Sequence, residues 1–106
     1  MLWATDKFRK ENPKTYKAVM EALHEAVDSI NKDKRRAAQV YSDEGGGKEK
    51  VDFLLKIMED PQVHYTLAPE RILPYAQFMH KVGIIKHEPK SWKDLFFPEV
   101  YDQPGS

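Results

Sequence analysis

The chain has 106 residues, 41% hydrophobic and 32% charged, with lysine plus arginine equal to aspartate plus glutamate at 17 each. This length allows one domain with a modest core, and the composition is globular rather than disordered. A net charge of zero removes the general electrostatic case for nucleic acid or an anionic membrane, and the absence of cysteine excludes disulfides, thiolate catalysis and cysteine-ligated zinc.

No apolar run approaches the roughly 18 residues of a membrane span. Met1-Leu2-Trp3-Ala4 leads directly into Asp6-Lys7 without a basic region or a long apolar run, so no signal peptide is read here. Residues 2–5, Leu-Trp-Ala-Thr, read as the tail of a strand too short to define a sheet. Residues 6–11 read as a polar connection holding one apolar residue, Phe8. Asn12-Pro13 is a helix start, since asparagine can accept from a free N–H and proline at the first helical position forfeits no bond. Tyr16, Val19, Met20, Leu23, Ala26, Val27 and Ile30 follow at spacings of three and four and predict one apolar face. Lys14, Lys17, Glu21, Glu25 and Asp28 lie opposite, and the helix is expected to end near Asn31.

Asp33 is placed to cap a shorter helix running to Tyr41, with Ala37, Ala38, Val40 and Tyr41 as a face suited to close packing. Gly45-Gly46-Gly47 then breaks the chain. A glycine triplet invites a phosphate-loop reading, but the Gly-Lys-Ser/Thr signature and a preceding strand are both absent, so a flexible surface loop is expected. Residues 48–59 predict a third helix with Val51, Leu54, Leu55 and Met58 inward and Phe53 and Ile57 widening that face. Asp60-Pro61 stops it, and residues 63–67 form an extended connector.

Pro69 opens a fourth helix, with Glu70 in its first turn. Tyr75, Phe78, Met79 and Val82 make its apolar face, with Ile72, Leu73 and Ala76 beside them. Pro74 predicts a bend or a later start, and Gly83 is the stop. Ser91 with Asp94 has the form of a capping box. It opens a turn through Leu95, Phe96 and Phe97 that Pro98 ends, and residues 101–106 read as a frayed tail. The expected fold is thus mainly α, with four to five helices and at most a short N-terminal strand, in a single domain over residues 1–106.

Catalytic signatures do not emerge. His24, His64, His80 and His87 lack the spacings of a zinc site. Ser29, Ser42, Ser91 and Ser106 have no neighbouring histidine, and the pairs Asp43-Glu44 and Glu59-Asp60 fall where capping and solvation explain them. Trp92, Phe96 and Phe97 can be read as an aromatic ligand box or, more simply, as core packing. The chain is therefore read as a non-enzyme with no metal and no cofactor.

Two stretches carry a family resemblance. They are FRKENPKTYKAVMEALHEAVDSINKDKRRAAQVY and PYAQFMHKVGIIKHEPKSWKDLFFPEV, with Trp92-Lys93-Asp94-Leu95-Phe96-Phe97-Pro98 the most specific motif. They resemble the C-terminal region of periplasmic solute-binding proteins of ABC importers, in the sulfonate, taurine and nitrate branch. Such proteins are about three times this length, with two α/β lobes around a ligand cleft. The resemblance implies a fragment of one lobe in which the helices cover a sheet. It also implies a periplasmic location, a small anionic or zwitterionic solute, and an ABC permease as partner of the whole protein. Trp3, Ala4 and Thr5 are the residues it places nearest the cleft, and the fragment alone is not expected to bind solute. Apolar faces left without their sheet predict a homo-oligomer, with exchange of helices between copies as one form of it. A free-standing helical interaction domain is the alternative.

Overall fold

The computed structural model describes residues 2–106, and Met1 lies outside the described residues. Five α-helices form among them, with no strand: α1 (Asp6–Glu11), α2 (Pro13–Lys32), α3 (Lys34–Glu44), α4 (Val51–Met58) and α5 (Ile72–Lys81). Two 3₁₀ turns follow, Trp92–Leu95 and Pro98–Val100. The chain divides into two compact units, Met1–Thr66 and Leu67–Ser106.

In the first unit α1 packs on α2, α2 on α3 and α3 on α4. Residues 2–5 are irregular rather than a strand tail, and residues 6–11 are helical rather than a polar connection. Both corrections trace to Thr5, whose Oγ1 accepts from the Phe8 N–H at 3.0 Å and so caps α1. Asn12 sits between α1 and α2, but its side chain works backwards. Its Nδ2 donates to the Phe8 carbonyl at 3.2 Å, closing α1, and no side-chain cap opens α2.

The α2 stripe narrows in the structure to Tyr16, Met20, Leu23, Val27 and Ile30, which are half-buried, while Val19 and Ala26 are exposed. The retained positions alternate steps of four and three, the narrow seam by which one helix lies along another. Half burial of each contributes on the order of 1 kcal/mol. At the end of α2, Asn31 Nδ2 holds the Tyr65 carbonyl at 3.0 Å.

Asp33 Oδ1 accepts from the Arg36 N–H at 2.9 Å and caps α3, which runs three residues beyond the expected Tyr41. Ala38 has 0% of its surface exposed and Ser42 is also buried, whereas Val40 and Tyr41 face outward. The inward row is therefore Ala38 and Ser42, one helical turn apart. The glycine triplet closes α3. Gly47 N–H reaches back to the Ser42 carbonyl at 2.7 Å and Gly46 N–H to Asp43 at 3.1 Å, with Gly46 at φ 77°, the two bonds of a Schellman end. The Ser42 hydroxyl then donates to the Glu49 carbonyl at 2.7 Å. This keeps residues 48–50 out of the following helix, so α4 starts at Val51 rather than Lys48. Its half-buried face is Val51, Leu54, Leu55 and Met58, as the spacing predicts. Phe53 and Ile57 are exposed and do not widen it. Arg35 and Asp52 join α3 to α4 at 2.8 Å.

The second unit begins with Pro69, which is buried but does not open a helix. Arg71 adopts a left-handed φ of 54° and α5 starts at Ile72. Pro74 thereby falls in the first turn, where a missing N–H costs no intrahelical bond. The inward residues of α5 are Ile72, Leu73, Ala76, Met79 and His80, with Ala76 only 6% exposed. The face expected from Tyr75, Phe78 and Val82 points outward instead. This helix is apolar on most sides, so periodicity alone does not single out its buried face. Gly83 at φ 80° ends α5 in a second Schellman arrangement, Ile84 N–H to the Met79 carbonyl and Gly83 N–H to His80, both at 2.9 Å.

Ser91 and Asp94 form the expected capping box of the Trp92–Leu95 turn. Pro98 opens the next 3₁₀ turn rather than ending the previous one. Residues 101–106 are not a frayed tail. Ser106 N–H donates to the Pro69 carbonyl at 2.8 Å, and its main-chain oxygen accepts from Ile72 N–H at 2.8 Å. Its hydroxyl oxygen accepts from Arg71 N–H at 3.0 Å. Residue 106 thus satisfies the first donors of α5, which has no side-chain cap of its own.

Two substitutions test these contacts. A Cβ on Gly105 would lie 2.4 Å from Trp92 Cε2, so Gly105→Ala is expected to destabilise the second unit by about 1–3 kcal/mol, read as a loss of Trp92 protection in urea titration. Asp33→Ala removes the α3 cap and is expected to cost about 1 kcal/mol, measured as a lower midpoint of the helical circular-dichroism transition.

Candidate functional site

The only aromatic cluster singled out from sequence is the one at Trp92. Its capping box orients the indole, and the ring meets Phe96 and Tyr101 edge-on, each with centroids 6.0 Å apart. Tyr101, which the sequence reading assigned to a loose tail, donates its hydroxyl to the carbonyls of Lys93 at 2.8 Å and Phe96 at 3.1 Å. Phe97, the third residue of the expected box, is half-buried.

Two groups of the chain itself occupy the cluster. Gly105 lies against the indole so closely that even a methyl group would not fit. Lys93 Nζ stands 5.5 Å from the Trp92 ring centroid and 5.3 Å from that of Tyr101, within cation–π range of both. An aromatic box that binds a cation needs its faces open. Here a lysine and a glycine of the same chain cover them, so the geometry is that of a packed corner.

The glycine triplet is equally committed. Gly45, Gly46 and Gly47 all donate their N–H groups to carbonyls of α3, leaving no nest of free donors for a phosphate. His24, His64 and His87 are exposed and His80 is half-buried. His80 Nδ1 stands 3.9 Å from Glu88 Oε2, beyond hydrogen-bond distance. Among the described residues no group of three histidines or carboxylates is arranged to hold a metal ion. An open groove of about 580 Å³ runs beside α5, lined by Gln77, Phe78, His80, Lys81 and Glu88.

Trp3 is 84% exposed, and Thr5 uses its hydroxyl to cap α1. Comparison with known protein families, with curated proteins and with solved structures finds no match for this chain.

The Tyr101 hydroxyl gives this corner its test. Tyr101→Phe keeps the ring packing and removes the donor to two carbonyls. It is expected to cost about 1–2 kcal/mol in urea unfolding, with helical content unchanged before the transition.

Proposed function

We propose that this chain is a scaffold segment from the C-terminal part of a periplasmic solute-binding protein that serves an ABC importer of sulfonate-, taurine- or nitrate-type solutes. The observation that supports this reading is the amount of apolar surface left open. No large side chain is fully buried among the described residues, and the accessible surface is 8681 Å². Large apolar side chains stand exposed instead, among them Trp3, Tyr41, Phe53, Tyr75, Phe78 and Ile84. Amphipathic helices made to cover a sheet would leave such a surplus when the sheet is absent.

In this reading the helices position the lobe and contribute no solute ligand of their own. Trp3 and Thr5, at the start of the chain, are the residues assigned to the neighbourhood of the cleft. The permease partner and the small anionic or zwitterionic solute belong to the whole protein. The exposed face Tyr75, Phe78 and Val82 also suits the alternative, a free-standing helical interaction domain.

The genomic sequence upstream of the Met1 codon separates the two. The scaffold reading expects the reading frame to continue into a signal peptide and the remaining lobe, beside permease and ATPase genes. An in-frame stop directly upstream, with no such genes nearby, would overturn it. In calorimetry the chain by itself is expected to take up none of taurine, an alkanesulfonate or nitrate, and a saturable heat with any of the three would contradict a pure scaffold role.

A further inference from the structure

Residues 103–106 lie in a cleft of the second unit whose walls grip them as a peptide is gripped. One wall is the stretch that leads into α5. The Pro69 carbonyl accepts from Ser106 N–H, and Ile72 N–H donates to the Ser106 main-chain oxygen, both at 2.8 Å. Residue 106 is thus held on both sides through its main chain, the mode by which an extended peptide adds to a sheet edge. Arg71 N–H adds a contact to a side chain, donating to the Ser106 hydroxyl at 3.0 Å. Arg71 stands at φ 54°, an uncommon conformation outside glycine, and its N–H converges with that of Ile72 on the one residue. The other wall is the Trp92 indole, where Gly105 leaves no room for a methyl group.

The walls are set by contacts that residues 103–106 do not make. Trp92 is held by the capping box of Ser91 and Asp94 and by the rings of Phe96 and Tyr101. Tyr101 is pinned through its hydroxyl to the carbonyls of Lys93 and Phe96, which anchors the chain just ahead of the segment. Past that anchor, Gln103 and Gly105 donate their N–H groups locally, to Val100 at 3.1 Å and to Gln103 at 2.8 Å. Pro104 has no N–H to give. The segment can therefore lift without pulling the aromatic corner apart, and lifting it opens the indole face and the first donors of α5 together.

We infer that this cleft is a binding site for an extended peptide carrying Gly-Ser, and that residues 103–106 hold it shut as an autoinhibitory strap. Glycine is required against the indole, the serine hydroxyl is read by Arg71 N–H, and the serine main chain supplies the remaining bonds. A free carboxylate is not needed, because the N–H and the main-chain oxygen of residue 106 carry these contacts. A segment tethered this closely acts at an effective concentration on the order of 1 mM, so a free peptide must compete with it. The site is independent of the solute-binding reading.

Fluorescence anisotropy of Gln-Pro-Gly-Ser amide, with a dye on its N-terminus, tests this on the full 106-residue chain. Gly105→Ala is expected to expel the strap, so that the Ile72 and Leu73 amides lose their exchange protection in NMR. That variant is expected to bind the peptide saturably. The wild-type chain is expected to bind it about tenfold more weakly, since its own segment competes. Gln-Pro-Ala-Ser amide with the same dye is expected to bind neither chain. With the helical circular dichroism of Gly105→Ala intact, no saturable binding, equal binding of the alanine peptide, or wild-type binding as tight as the variant's each overturns the proposal. If Gly105→Ala loses its helical signal, Ser106→Gly takes its place, since it adds no bulk and removes one bond of the strap. It is expected to bind the glycine peptide more tightly than the wild type does, and binding no tighter overturns the proposal.

Discussion

The most deeply buried side chain on α3, and on α5 as well, is an alanine. Ala38 on α3 has no accessible surface and Ala76 on α5 has almost none. A methyl group at the point of closest approach lets backbones draw together, but it removes little apolar area from water. The larger side chains therefore stand around these points, half covered. Tyr16, Met20, Leu23, Val27 and Ile30 do so in the first unit, and Ile72, Leu73 and Met79 in the second. Stability built this way depends on many partial burials and on well-closed helix ends rather than on one large core residue.

The helix ends accordingly carry much of the architecture. Thr5, Asp33 and Ser91 each use a side-chain oxygen to hold an orphan N–H, and Gly46 and Gly83 each take a positive φ to turn a helix off. These signals are local, and most were legible in the sequence because a cap or a glycine stop needs only a few residues to declare itself. Thr5 was missed because the short helix it opens carries a single apolar residue, Phe8, and so has no periodicity to announce it.

The buried faces were legible to different degrees. On α2 and α4 the charged positions bound the apolar stripe, and the pattern finds every inward residue of the seam but adds Val19, Ala26, Phe53 and Ile57, which are exposed. On α5 nearly every position from Ile72 to Met79 is apolar, and spacing alone cannot choose between Ala76–Met79 and Tyr75–Phe78. The sequence also hid the role of residues 101–106. Their proline, glycine and polar composition reads as loose, yet Gly105 docks because it lacks a side chain, and Ser106 through main-chain atoms that carry no sequence signature together with a hydroxyl that meets Arg71 N–H. The aromatic cluster was visible as residue types. That its faces are covered by Lys93 and Gly105 depends on how the chain returns, which no spacing rule encodes.

The bond between the Pro69 carbonyl and the Ser106 N–H brings the two ends of the second unit to one point. A unit that enters and leaves at the same place can be carried within a longer chain without displacing what flanks it. It can equally be joined head to tail by a short linker, because the closure entropy of the ring is already largely met by the fold.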